Sequence, residues 1–122
     1  NENLPKNLVD ALVRVSSNVQ KQLKSILDAY LDRSSAMAVN VWEGDEHIDD
    51  LTNLCMQEVI KYLKENEKNL DDGTHLLFVT KNIERIGDHT TNIAEQIYYL
   101  VTGEYLEGDR PKGTEPVVTG EK

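Results

Sequence analysis

Proline is nearly absent from this sequence of 122 residues, occurring only as Pro5, Pro111 and Pro116, so the long stretch between the first two holds no obligatory helix breaker. A single cysteine, Cys55, excludes an intramolecular disulfide and a cysteine-based zinc cage. It also fits a reducing compartment, and the cytoplasm is the expected location. No apolar run approaches the roughly 20 residues that cross a bilayer, and the polar start Asn1-Glu2-Asn3 does not read as a secretory signal. Positive charge is scarce: 13 Lys plus Arg against 22 Asp plus Glu leave a net charge of −9. Such a surface disfavours capture of nucleic acid or anionic lipid and suits cations or basic partners. Glu-x-x-His, the spacing a ferritin-like di-iron site needs, does not occur; neither does a glycine-rich phosphate loop after a strand or a nucleophile with a matching base. No enzyme is expected. The length allows one small domain.

What the sequence does contain is helical periodicity. Leu8, Leu12, Val15, Val19, Leu23, Ile26, Leu27, Tyr30 and Leu31 recur at steps of three and four, which predicts one amphipathic helix over about residues 8–42. Glu43-Gly44-Asp45 reads as a stop and a new start, with Gly44 free to turn left-handed and Asp45 able to cap the next helix. A second helix is expected over about 45–66, with Ile48, Leu51, Cys55, Val59, Tyr62 and Leu63 as its stripe. Asn, Asp and Gly gather from Glu67 to Gly73, and a third helix follows over about 72–102. Its seam, Leu76, Val79, Ile83, Ile86, Thr90, Ile93, Ile97 and Leu100, is heptad-like and is expected to pack along both neighbours. Strand-length alternation is absent, so the fold class is all-α, an antiparallel up-down-up three-helix bundle. Residues 1–7 form a leader in this reading, and 104–122, rich in Gly and Pro, a flexible tail.

The acidic residues are arranged in rows. Asp45, Asp49 and Asn53 follow one another at steps of four on the second helix, with Glu46 and Asp50 beside them; Glu84, Asp88 and Asn92 do the same on the third, with His89 adjacent. Folding the hairpin about residues 68 and 69 sets Asp45 beside Asn92, Asp49 beside Asp88 and Asn53 beside Glu84, so the rows lie level. A helical wheel referred to the apolar stripes places Asp88 far from the core, which puts this oxygen ladder on the outside of the bundle. Acidic groups in a first turn are also favoured by the helix dipole alone, and Lys81 with Glu84 or Arg85 with Asp88 make ordinary surface pairs. A cation would compensate the repulsion more completely. Oxygen ligands favour magnesium, manganese, calcium or iron, and zinc if His89 turns in. Gly87, inside the best helix, implies a close approach of another helix or space around the carboxylates. Cys55, on the apolar stripe, is expected to be a buried, inert thiol. Trp42, Tyr98 and Tyr99 are expected to pack.

The string His75-Leu76-Leu77-Phe78-Val79-Thr80-Lys81-Asn82-Ile83-Glu84-Arg85-Ile86-Gly87-Asp88-His89, continued by Thr90-Thr91-Asn92-Ile93-Ala94-Glu95, resembles the PhoU family of bacterial phosphate-uptake regulators. Asp45-Glu46-His47-Ile48-Asp49 and Glu58-Val59-Ile60-Lys61-Tyr62-Leu63 carry the same resemblance, which covers about residues 8–111. Members have two tandem three-helix repeats, and this chain is similar to the second. The resemblance implies metal ions on Glu/Asp-x-x-x-Asp motifs, here Asp45 with Asp49 and Glu84 with Asp88, with Glu46, Asp50, Asn53, His89 and Asn92 of second rank. Iron, magnesium, manganese or zinc is the implied metal. It further implies a nonenzymatic adaptor that contacts the phosphate-specific ABC transporter ATPase and a sensor histidine kinase and restrains the phosphate-starvation response. A homodimer would replace the missing repeat. The competing readings are a metal-dependent hydrolase of phosphate compounds and a structural or metal-buffering helical module.

Overall fold

A computed structural model describes residues 4–106, apart from the side chain of Asn69. Helix α1 spans Lys6–Asp32, α2 Ser35–Glu43, α3 Asp45–Glu65 and α4 Leu70–Thr102, with a single 3₁₀ turn at Glu67–Asn69 before α4. Three packed clusters fix the topology. Leu8 of α1 meets Val59 and Tyr62 of α3 at one end, with Leu76 and Leu77 of α4 against them. Val15 and Val19 meet Ile48, Leu51 and Cys55 at the middle. Ile26 and Ala29 meet Ala38, Val41, Ala94 and Ile97 at the other end. Helices α1 and α4 therefore run parallel and pack on each other, and α2 with α3 descends as one arm against both. This is an all-α, up-down-up bundle of three mutually packed arms.

The first reversal falls at a place the periodicity did not mark. A helix read as running over 8–42 is two helices, because Arg33 adopts the left-handed conformation (φ 51°, ψ 47°). The Ser34 amide then donates to the Ala29 carbonyl at 3.0 Å, and the Ser34 hydroxyl accepts from the Met37 amide at 3.1 Å, so one serine closes α1 and caps α2. No glycine or proline announces this stop. Gly44, read as a left-handed turn, instead has φ −77° and ψ −6°. It is a nearly helical joint, where an added Cβ would lie 3.2 Å from the Gln22 side chain. Asp45 is thus the first residue of α3 rather than its cap.

The inward side of α4 keeps Leu76, Ile83, Thr90 and Ile97 of the apolar seam read in the sequence and replaces the other half with small residues. Gly73, Thr80, Gly87, Thr90, Thr91, Ala94 and Ile97 are buried, whereas Val79, Ile86, Ile93 and Leu100 are 46%, 45%, 43% and 63% exposed. Small residues line the inside because α4 lies close to its neighbours: a Cβ on Gly87 would sit 3.0 Å from Ile48 Cγ2 and 3.8 Å from Val19 Cγ2. Trp42 and Tyr98 pack against the cluster at the α2 end, where the Trp42 indole N–H donates to Glu95 at 2.9 Å. Helix α1 begins within the expected leader, at Lys6. The expected tail lies outside the described residues from position 107 onward.

Candidate metal centre

The arm formed by α2 and α3 carries Asp45 and Asp49 one turn apart at its upper half, and α4 presents Asp88 across from them. One carboxylate oxygen from each of Asp45, Asp49 and Asp88 lies within 4.8 Å of the other two. Asp45 and Asp49 are only 1% and 2% exposed, and Asp88 is half-buried. The Thr91 hydroxyl lies 3.2 Å from Asp45 Oδ1 and the same distance from the Gly87 carbonyl, so its one proton is shared between them. Thr52, on the same face of α3 as Asp49, has its hydroxyl buried without a hydrogen-bond partner among the described residues.

This geometry corrects the expectation of an exterior ladder. Referring the wheel to the whole apolar seam, Val79, Ile86 and Ile93 included, turned Asp88 to the back of α4; burial of Gly87, Thr91 and Ala94 turns it toward α3. The register also differs slightly, since Asp45 pairs with buried Thr91 and Asn92 is exposed. Thr91 was not among the candidates, although its place beside the Glu84, Asp88 row could have raised it.

Glu84 stands one turn before Asp88, outside the three residues that share the 4.8 Å reach. Its carboxylate is held by Lys81 Nζ at 2.8 Å and is 12% exposed. Among the remaining candidates Asp50 and Asn53 are half-buried, while Glu46, His89 and Asn92 are exposed. The structure therefore gathers three carboxylates in the interior and leaves the exposed candidates around the rim.

Three anionic oxygens at this separation suit a hard cation. Calcium takes oxygen ligands at about 2.3–2.6 Å and magnesium at about 2.0–2.1 Å, so oxygens that all lie within 4.8 Å of one another are close enough to be shared by one such ion. A shared ion turns the mutual repulsion of buried carboxylates into attraction, at low dielectric where that difference is largest. Thr91 would orient Asp45, as outer partners of metal ligands commonly do.

Cys55 is fully buried and lies below this site, its sulfur 3.5 Å from the Thr80 hydroxyl. Burial pushes the thiol up from its ordinary value; the Thr80 hydroxyl pulls the other way and the charge of Glu58 adds to the rise.

A family model described as the PhoU domain matches residues 12–97. A Rhizobium meliloti protein named phosphate-specific transport system accessory protein PhoU homolog is 45% identical over 109 residues, which are 89% of this chain and 46% of that protein. Homologs of the same name from Caulobacter vibrioides NA1000 / CB15N and Clostridium acetobutylicum ATCC 824 are 44% and 33% identical, over 86% and 83% of this chain. In each case the chain spans 46% of the relative's length. No solved structure matches the chain significantly.

Proposed function

The chain belongs to the PhoU domain family, and on that premise we propose that it serves as a nonenzymatic regulator of phosphate transport. In this reading it contacts the phosphate-specific ABC transporter ATPase and a sensor histidine kinase at the cytoplasmic side and restrains the phosphate-starvation response. The relatives' names, which describe an accessory protein of a phosphate-specific transport system, support the role. None of the described helices is long and apolar enough to cross a membrane, so the transporter would be met from outside the bilayer. At a net charge of −9 the chain without bound cations should not attract free phosphate, and it would relay the state of the transporter rather than sense the anion itself.

A metal ion belongs to the same reading. Asp45, Asp49 and Asp88 are its proposed ligands, with Glu84 as an outer member held by Lys81 and with Glu46, Asp50, Asn53, His89 and Asn92 of lower rank. An all-oxygen donor set favours iron, magnesium or manganese, with zinc dependent on His89. The convergence of three carboxylates from two helices carries this proposal. The ion would fix the upper half of the α3–α4 pair, whose outer surface is then a rigid platform for a partner. Self-association of two copies is proposed as well, in keeping with the exposed apolar residues of α1 and α4.

Two measurements test the reading. Calorimetric titration of metal-free protein with manganese should show a site that is lost in Asp49→Asn, whereas titration with phosphate should show none. Capture of the transporter ATPase by the purified chain should succeed. Turnover of a generic phosphoester, lost in Asp88→Asn, would instead establish the hydrolase reading.

A further inference from the structure

Among the described residues four threonines are buried, Thr52, Thr80, Thr90 and Thr91. Three of them settle the hydroxyl proton on their own helix: Thr80 donates to the Leu76 carbonyl at 2.8 Å, and Thr90 and Thr91 donate to the Gly87 carbonyl at 2.7 and 3.2 Å. A carbonyl one turn back is the usual recourse of a helical threonine without water. Thr52, 2% exposed, is the exception, and its hydroxyl has no hydrogen-bond partner among the described residues. A hydroxyl so placed has given up water without gaining a protein partner, which buried polar groups seldom do without a reason.

Two contacts fix where this hydroxyl lies. Asp45 meets Thr91 at the upper end of the α3–α4 interface, and near its foot a Cβ added to Gly73 would strike the Leu63 side chain. Each step along α3 is thus matched by one step back along α4. Thr52, seven residues after Asp45, is level with Glu84, seven before Thr91. Steps of seven and eleven return to within ~20° of one line on a helix with about 100° per residue, so Asp45, Thr52 and Leu63 share the line that faces α4. Asp49 stands one turn above Thr52, as Asp88 stands one turn above Glu84, and there the three carboxylates converge. Below, Cys55 and Thr80 close the interface, with sulfur and hydroxyl 3.5 Å apart. Lys81 engages Glu84 at 2.8 Å. The Thr52 hydroxyl is therefore on the floor of the carboxylate cluster.

We propose that Thr52 is a positioning residue of the metal centre, its hydroxyl accepting a hydrogen bond from a water molecule carried by the ion that Asp45, Asp49 and Asp88 bind. The inference rests on the metal reading above and adds to it a group outside the acidic rows. Small hard cations of the magnesium type keep several waters when only a few carboxylates hold them. Water on such an ion is a strong donor, because the cation draws charge from its oxygen. On the carboxylate side its protons meet acceptors. Toward the interior, Thr80 and Thr91 already have carbonyl partners for their protons, and the Thr52 oxygen is the acceptor left to receive one. A valine of the same shape would turn a methyl group to that water, and a water without its acceptor weakens the hold on the ion that carries it.

Manganese titration of the whole 122-residue chain, read by calorimetry and by electron paramagnetic resonance of the bound ion, tests this. Thr52→Val should weaken binding about tenfold, as loss of an outer partner does, and should alter the resonance of the ion at saturation. Thr52→Ser keeps the hydroxyl and should restore both. In metal-free protein Thr52→Val should melt no lower than wild type, because the hydroxyl it removes has no partner among the described residues. Manganese bound equally by wild type and Thr52→Val overturns the role of Thr52 while the metal reading stands. A loss that Thr52→Ser does not restore, together with a lowered melting temperature of metal-free Thr52→Val, assigns Thr52 to packing and overturns the role as well. If the wild type takes up no manganese, the metal reading falls and this inference with it.

Discussion

The Thr91 hydroxyl reaches Asp45 Oδ1 at 3.2 Å across the α3–α4 interface, and this contact joins the first residue of α3 to the upper third of α4. Thr91→Val keeps the side-chain volume and removes the donor. Because the proton is shared with the Gly87 carbonyl, the cost should lie near the ordinary range for a buried hydrogen bond, about 1–2 kcal/mol. Thr90→Val removes a hydroxyl that donates only to its own helix, at 2.7 Å to the Gly87 carbonyl. It should cost about 0.5 kcal/mol or less, because that carbonyl keeps its helical partner. Urea denaturation of the two variants measures the difference. Thr91→Val should also weaken metal binding by about tenfold, as loss of an outer partner does.

Gly87→Ala should destabilise the protein even though alanine is the better helix former by about 1 kcal/mol. The added methyl group would meet Ile48 Cγ2 at 3.0 Å, and Ile48 is a stiff β-branched side chain that is 2% exposed. Overpacking of this kind costs about 1–3 kcal/mol, which outweighs the propensity gain. In an Ile48→Ala background the obstructing methyl is gone, and the same glycine substitution should become neutral or stabilising. A double-mutant cycle read by denaturant midpoints decides it.

These two contacts explain what the sequence could and could not reveal. The α3–α4 hairpin was legible because its apolar steps, the Asn and Asp cluster at the turn and the two carboxylate rows all agree, and the resulting register misses by about one residue. Depth was not legible. On α4 the inward positions are Thr80, Gly87, Thr91 and Ala94, which score as indifferent, whereas the outward Val79, Ile86 and Ile93 score as core. Leu76, Ile83, Thr90 and Ile97 of the seam do face the core, but counting the outward row as inward turned the helix by roughly half a residue step, ~50°, and so sent Asp88 outside. The reversal at Arg33 was hidden for a similar reason: a left-handed non-glycine residue leaves no compositional trace, and only the Ser34 cap hints at it.

Asp88→Asn and Glu84→Gln separate the inner carboxylates from the outer one. Asp88 shares the 4.8 Å reach of Asp45 and Asp49, so its loss should weaken manganese binding by well over tenfold, more than an outer-partner change does. Glu84 is paired with a Lys81 whose side chain is 55% exposed. Such a pair contributes about 0–1 kcal/mol, and Glu84→Gln should change both stability and metal binding little. Equal losses in the two variants would make Glu84 a direct ligand. Adding metal should raise the melting temperature of the wild type and leave that of Asp49→Asn unchanged.

Cys55 ties stability to alkaline pH. Burial raises its thiol, so the folded protein holds the proton to a higher pH than the unfolded chain does. The contribution is complete below the ordinary thiol range, near 8.5, and is lost as pH climbs from there through the raised value. Wild type should therefore lose stability relative to Cys55→Ser between neutral and strongly alkaline pH, with no crossing below neutrality. A thiol reagent should report the same burial. Reaction at neutral pH should be slow and governed by opening of the α3–α4 contact, because Cys55 is 0% exposed and its sulfur sits against Thr80. Thr80→Val removes the hydroxyl that favours the thiolate and should lift the thiol further, so the alkaline loss starts at the same pH but continues to higher pH and grows larger. If reagent and wild type instead react as fast as the unfolded chain at neutral pH, the middle of the bundle is open in solution.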